Sequence, residues 1–183
     1  MRKIINSTYV SLDGVIENPQ DWPSLGVEDD DAGAIQTELL LACDAVLMGR
    51  RTYDGFAPVW PARSGDPYSD RINAMPKYVV SSTLRNPGWN NTTVIEDDPV
   101  AAIRRLKEQP GKDIVQYGFG RLSYTLLDHG LIDELRLWVH PFFVRAGGPL
   151  YLEGPPAGLD LIGARPLKSG IVILSYRAKT DLR

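Results

Sequence analysis

The sequence predicts an α/β fold: one three-layer α/β/α domain, residues 1–183, with a mostly parallel sheet and an antiparallel C-terminal edge. Two observations carry this. Up to about residue 130, short apolar runs alternate with helical patterns, as parallel strands joined by crossover helices require. Beyond it only strand patterns follow, and strands in direct succession pair antiparallel. The length of 183 residues suits a single domain with a sizeable core.

Residues 3–12 are rich in β-branched side chains and read as a first strand, ended by Asp13-Gly14. From Glu17 to Asp31 the composition is polar, with Pro19, Pro23 and Gly26. This predicts a loop that either covers a site, with Trp22 as its apolar anchor, or packs Trp22 on the core rim. Asp29-Asp30-Asp31 precedes a helix over 32–42, where acidic residues suit the dipole and the uncapped N–H groups. Residues 44–48 are a short strand running into Gly49-Arg-Arg-Thr-Tyr53. The stretch 54–76 is rich in Pro, Gly, Ser and Asp and reads as a long surface loop with a short helix at 70–74. A strand over 76–82 ends in Ser81-Ser82-Thr83 with Arg85 behind it, and 92–95 is another. Asp98 as N-cap and Pro99 at the first position start a helix that runs to Gln109. An apolar run from Asp113 breaks at Gly118-Phe-Gly120, and Leu122, Leu126 and Leu127 then give a helix closed by His129-Gly130. Residues 133–140 alternate cleanly; 159–164 and 170–177 are closing strands.

Composition removes several functions. A formal net charge of −3 gives no general attraction to nucleic acid or anionic membrane. Arg104-Arg105 fit the solvated face of a helix. No run approaches the roughly 20 apolar residues of a membrane helix. Met1-Arg-Lys-Ile-Ile-Asn6 carries two charges without an apolar segment after them, so no secretory signal is expected. One cysteine, Cys43, excludes an intrachain disulfide and points to a reduced, cytoplasmic setting; it reads as a small buried hydrophobe. With only His129 and His140 beside it, no metal site is expected.

Three strand ends carry anion-binding chemistry: Gly49 to Thr52, Ser81 to Arg85, and Gly118 to Leu122. Glycine lets a phosphate approach the backbone, a helix N-terminus attracts it, and arginine presents a matching fork. The serine hydroxyls serve equally as ligands or as turn formers. Open α/β sheets collect ligands at the carboxyl ends of their strands. Position 123 is serine where a dinucleotide fingerprint has its third glycine, and no acidic residue follows about 20 positions on. The ordinary Rossmann reading is therefore disfavoured, and no Gly-Lys-Ser/Thr makes a P-loop. Arg50 and Arg51 suit an extra phosphate, as on NADP.

Several motifs run in a familiar order: Ser11-Leu-Asp-Gly14, Gly49-Arg-Arg-Thr-Tyr53 with Trp60-Pro61, Asn73-Ala-Met-Pro-Lys-Tyr-Val-Val-Ser81, Trp89-Asn-Asn-Thr-Thr-Val94, Gly118-Phe-Gly-Arg-Leu122, and Leu131-Ile-Asp-Glu-Leu-Arg-Leu137 with His140-Pro141. Together they cover essentially the whole chain, which resembles the dihydrofolate reductase-like family. It is most similar to stand-alone relatives of the reductase domain of riboflavin biosynthesis, the C-terminal half of the bifunctional deaminase-reductase. The resemblance implies an eight-stranded sheet, NADPH as cofactor, homodimers, and reduction of a small heterocycle, as in 5-amino-6-(5-phosphoribosylamino)uracil reductase. It puts the adenosine side and 2′-phosphate on Gly49, Arg50, Arg51, Thr52, Ser81, Ser82 and Arg85. It puts the pyrophosphate on Gly118, Phe119, Gly120, Arg121 and Leu122. Asp13 is the first candidate for a catalytic carboxylate and Asp31 the second, with Asp30 and Glu38 also open; Trp22 and Tyr53 are candidates to border the substrate. The segment Arg145-Ala-Gly-Gly-Pro-Leu-Tyr151 departs from the family's Gly-x-Gly-Lys/Arg-x-Leu-Phe, which leaves the substrate open. The rival class is a non-catalytic NADP(H)-binding sensor or assembly module.

Overall fold

Thirteen regular segments are found in the computed structural model, which describes residues 1–25, 30–151, 154 and 156–179. They are β1 (Ile4–Ser11), α1 (Asp30–Ala42), β2 (Cys43–Gly49), α2 (Arg50–Phe56), α3 (Pro67–Ala74), β3 (Lys77–Val80), β4 (Thr92–Ile95), α4 (Pro99–Glu108), β5 (Asp113–Tyr117), α5 (Arg121–Asp128), β6 (Glu134–His140), β7 (Leu159–Pro166) and β8 (Val172–Ala178). Two short 3-10 turns add Pro19–Asp21 and Trp60–Ala62. The strands form one sheet in the order β4-β3-β2-β5-β1-β6-β8-β7. Pairings of β2 with β3 and β5, of β3 with β4, and of β1 with β6 are parallel; those of β6 with β8 and β7 with β8 are antiparallel. This is the α/β fold with a mostly parallel sheet and antiparallel edge that the sequence predicts.

Two compact units divide the chain. One comprises Met1–Ile4 and Ala34–Tyr117, the other Ile5–Gly33 and Gly118–Arg183. In the first, the parallel strands β2 and β5 are buried almost throughout, with Val46, Leu47, Met48, Ile114 and Val115 fully enclosed. Strands covered on both faces read as continuous apolar runs, which is why these were legible. Cys43 is buried among them, as its apolar neighbours predict. In the second unit, β1 and β6 run parallel from Ile5↔Glu134 to Ser11↔His140. Its core includes Val10, Leu126, Leu135, Trp138 and Ile173.

The segment 54–76 holds the short helix expected at 70–74, as the end of a longer α3, and is otherwise more helical than the expected loop. The helix α2 begins at Arg50, directly after β2, and α3 starts at Pro67. The Asp66 carboxylate caps α3 by accepting from the N–H groups of Tyr68 (3.1 Å) and Ser69 (2.9 Å), and Pro67 suits the first helical position. Asp66-Pro67 is the same signal as Asp98-Pro99, masked by the turn-forming residues around it. At Asp98 the carboxylate accepts from Ala101 N–H at 3.0 Å, as predicted. The Gly26 and Asp29 of the predicted loop and helix start lie outside the described residues, and of Asp30 only the backbone is described.

Candidate active site

In the first unit, Gly49 closes β2 and serves as N-cap of α2 in extended conformation, with no side-chain cap and no acidic residue in the first turn. This contrasts with α3 and α4, each capped by an aspartate. The first N–H groups of α2 keep their positive end without a carboxylate to neutralise it. Gly49 pairs in register with Val80, so Ser81 lies at the same carboxyl edge. Arg50 joins the two segments: its Nε lies 2.8 and 2.9 Å from the Asp54 carboxylate oxygens and its Nη1 donates to Thr83 Oγ1 at 3.3 Å. Ser81 Oγ accepts from the N–H groups of Thr83 (3.2 Å) and Leu84 (3.0 Å), so this hydroxyl forms the turn. Ser82 and Arg51 are exposed and Thr52 half-buried. Arg85 donates to Leu84 O and pairs with Glu96 at 3.4 Å, both partners exposed. Tyr53 is buried, its ring 6.4 Å from Trp89 and its hydroxyl accepting from Trp89 N–H at 3.4 Å.

The second unit contains the glycine turn. Gly118 has φ 78°, a left-handed backbone that favours glycine. Gly120 caps α5, again with no side-chain cap and no acidic residue in the first turn. Asn6, fully buried in β1, donates its Nδ2 to Gly118 O at 2.9 Å and accepts from Thr8 Oγ1 at 2.9 Å. Phe119 meets Tyr124 edge-on with centroids 5.1 Å apart, and Tyr124 donates its hydroxyl to Leu150 O. Arg121 is exposed at the first position of α5 and Leu122 half-buried.

Beyond β1, the Asp13 carboxylate accepts from Ser11 Oγ (2.5 Å), Val144 N–H (3.1 Å) and Arg145 N–H (2.8 Å). The Ser11 hydroxyl, followed by those N–H groups, holds its carboxyl below the usual 3.8, against a desolvation that raises it. Glu17 repeats the device on Gly148 N–H at 2.8 Å, and a Cβ on Gly148 would stand 2.5 Å from the Glu17 carboxyl carbon, so a larger residue there would have to displace the Glu17 carboxylate. Ser11 pairs in register with His140. Trp22 meets His140 and Phe142 edge-on at 5.2 and 5.6 Å, and its Nε1 donates to Glu17 O at 2.9 Å. Tyr9 lies 5.0 Å from His140. Trp22 thus packs onto an aromatic group at the ends of β1 and β6, an arrangement that fits the loop anchor and the core-rim reading alike. Asp31 stands exposed in the first turn of α1, and Glu38 is exposed further along it.

Sequence reasoning passed over Asn6 and gave His140 no role. Asn6 left a signal, a polar side chain in the middle of a buried apolar strand, where such a group must find a partner. Among the described residues no cluster of three His, Cys, Asp or Glu could hold a metal, and no helix is long and apolar enough to cross a membrane.

The family model for the RibD C-terminal domain matches residues 2–173. The chain belongs to the RibD C-terminal domain family. The Bacillus subtilis protein YyaP, itself uncharacterised, is 33% identical over 181 residues, covering 96% of this chain and 94% of YyaP. A second uncharacterised Bacillus subtilis protein, YwjB, is 28% identical over 155 residues, covering 83% of this chain and 84% of YwjB. Among solved structures, one from Shewanella sp. PV-4 assigned to riboflavin biosynthesis superposes with TM-score 0.71 at 24% identity, covering 98% of this chain and 99% of its own. The Thermotoga maritima diaminohydroxyphosphoribosylaminopyrimidine deaminase/5-amino-6-(5-phosphoribosylamino)uracil reductase gives TM-score 0.69 at 16% identity, with 97% of this chain covered. This chain spans only 57% of that bifunctional protein. At such identities the structures carry the fold, that of RibD reductase domains, and the family match carries membership.

Proposed function

We propose that this RibD C-terminal domain protein is a cytoplasmic, homodimeric NADPH-dependent reductase. Its substrate is a small pteridine- or pyrimidine-like heterocycle, reduced at a C=N or C=O bond, and residues 1–183 act as one catalytic domain. The observation that supports this best is the contrast among helix starts. The helices α3 and α4 carry aspartate caps, whereas α2 and α5 begin behind glycines with no acid in the first turn. Phosphate groups fit such termini. When bound, NADPH supplies the hydride; the chain binds, orients and keeps water out.

In this reading Gly49, Arg50, Arg51, Thr52, Ser81, Ser82 and Arg85 hold the adenosine end. Arg50, its fork already aligned by Asp54 and Thr83, takes the 2′-phosphate. Gly118, Phe119, Gly120, Arg121 and Leu122 hold the pyrophosphate through backbone N–H groups. Trp22 and Tyr53 border the substrate, and Asp13 or Asp31 supplies a carboxylate to a ring nitrogen. One observation favours a second reading, a binding module without turnover: three donors already engage the Asp13 carboxylate.

Fluorescence titration tests the cofactor assignment. NADPH should bind more tightly than NADH, and Arg50→Ala should narrow the difference. Equal affinities in the wild-type protein reject the 2′-phosphate assignment. NADPH binding without oxidation across a panel of pyrimidines and pteridines would select the second reading.

A further inference from the structure

The loops that follow β1 and β6 form a short ladder with each other. Val15 and Pro149 make an antiparallel bridge. On either side of it, Leu150 N–H donates to Gly14 O at 2.7 Å and Ile16 N–H to Gly148 O at 3.0 Å. Side chains of the first loop add to this: Asp13 accepts from the N–H groups of Val144 and Arg145, and Glu17 from that of Gly148. The ladder therefore fixes the start of the segment from Asp13 to Trp22, to which the substrate side is assigned above. Its flanking apolar residues Leu12, Phe143 and Tyr151 are 57%, 57% and 70% exposed. Segments that bury so little open locally at small cost in free energy, so a tether at one point can decide how often they open.

The helix α5 provides such a tether. The Tyr124 hydroxyl donates to Leu150 O at 2.9 Å. Leu150 is thus bonded through both main-chain groups, by its N–H to the Asp13-Gly14 turn and by its carbonyl to α5. The same tyrosine belongs to the start of α5. Its N–H donates to Gly120 O at 3.0 Å and closes the first turn behind the glycine cap. Its ring meets Phe119 of the glycine turn edge-on. One residue therefore touches the candidate pyrophosphate turn with its backbone and ring, and the substrate-side ladder with its hydroxyl. Only two side-chain torsions set the reach of a tyrosine, so little freedom separates its two ends.

We propose that Tyr124 is a positioning residue that fastens the loops after β1 and β6 when the glycine turn is occupied. A phosphate at the free N–H groups of α5 steadies its first turn. Tyr124 carries that order to Leu150, and Leu150 carries it to the Asp13-Gly14 turn. Cofactor on one side then lowers the opening of the ladder on the other. This deepens the NADPH reading given above and rests on it: it couples the cofactor half of the site to the substrate half, and such coupling is reciprocal.

Amide hydrogen exchange on the full chain, read residue by residue by NMR with NADPH as the probe, tests this. In wild-type protein saturating NADPH should slow exchange of the Ile16, Gly148 and Leu150 N–H groups roughly fivefold or more, the low end of ordinary coupling between sites. Tyr124→Phe removes one oxygen and keeps the ring on Phe119. It should bind NADPH about as tightly as wild type and lose the slowing. A hydroxyl that only supports the fold would instead quicken these amides by one factor with and without NADPH, and that result overturns the proposal. Thr125→Ala is the control: its hydroxyl donates to Arg121 O at 2.9 Å within α5, and the variant should keep the slowing. Loss of the slowing there too would assign the effect to α5 as a whole and overturn the role of Tyr124. A wild-type protein that does not bind NADPH removes the cofactor reading and this inference with it. NADPH binding that leaves the exchange of these amides unchanged overturns this inference alone.

Discussion

Lys77 carries the most demanding single-residue chemistry in the first unit. It is fully buried in β3, and its Nζ donates to the carbonyls of Ile72 (2.9 Å), Asn73 (3.0 Å) and Met75 (2.7 Å), with the Trp89 ring centroid at 4.7 Å. These are the terminal carbonyls of α3, which a helix leaves without internal donors. Burial pushes the ammonium down to about 8, while the carbonyls and the indole face favour the charged form. Because that value lies below the ordinary 10.5, the unfolded chain holds the proton more tightly, and stability rises as pH climbs from 8 towards 10.5. Lys77→Met keeps the stem and removes the donor; it should lower the unfolding free energy by about 1–3 kcal/mol. An unshifted urea midpoint would refute the capping role. His140 titrates on the acid side. Its ring Nδ1 lies 2.9 Å from Trp138 O and donates to it. Burial lowers its pKa below 6.5, against weaker pulls from the backbone of Trp138 and Val10. The folded state thus holds it neutral, and stability falls as pH drops from 6.5 through the folded value. Asp13 and Asp66, held below 3.8 chiefly by the hydroxyls of Ser11 and Ser69, lose their contribution only at lower pH still. His140→Asn keeps a donor and removes the titration. The melting temperature should then fall less steeply between about pH 7 and 5, with the more acidic limb unchanged; the same slope in both proteins rejects the assignment.

At the scale of elements, β5, its glycine turn and α5 test how binding and folding share one device. Gly118 has φ 78°, and Asn6 fixes its carbonyl. Gly118→Ala should cost about 1 kcal/mol or more, the usual penalty of a left-handed alanine, and should weaken both NADPH and NADH. Lost stability with unchanged affinities would make the turn structural only. This element was legible because its signals are local: an apolar run, two glycines, then leucines at helical spacing. Asp98-Pro99 was legible for the same reason. Asp66-Pro67 carries an equally local cap, but the surrounding Pro, Gly and Ser favoured a loop, and α3 was underestimated. The bonds that set the candidate site were not legible at all. Asn6 reaches Gly118 and Asp13 reaches Arg145 across 112 and 132 residues. Such pairings depend on which strands become neighbours, and periodicity within a segment holds no information about that. Trp22 shows the middle case: that it packs, as loop anchor or on the core rim, followed from composition, and its partners His140 and Phe142 did not.

At the scale of the molecule, alternation of strands and helices predicted the parallel region and their succession predicted the antiparallel edge, but the strand order had to be observed. That order puts β1 and β5 in the interior of the sheet and β4 and β7 at its borders. It explains why β1 tolerates only buried, hydrogen-bonded polar groups such as Asn6 and Ser7, whereas β7 carries charges and exposed leucine. The cofactor assignment has a consequence for the whole fold. A ligand that binds only the native state stabilises it by about 2.7 kcal/mol at a hundredfold excess over its dissociation constant. For a chain of this length each kcal/mol moves the melting temperature by roughly 2–4 °C, so NADPH should raise it by about 5–10 °C. The two candidate phosphate contacts then separate. Arg50→Ala should remove the excess of the NADPH shift over the NADH shift and leave the NADH shift in place, since only the 2′-phosphate distinguishes the cofactors. Gly118→Ala should reduce both shifts together, since both cofactors carry the pyrophosphate. Thermal scans of the three proteins with each cofactor read all six values. A wild-type protein unmoved by NADPH removes the cofactor reading, and equal losses in the two variants would deny the division of labour between the turns.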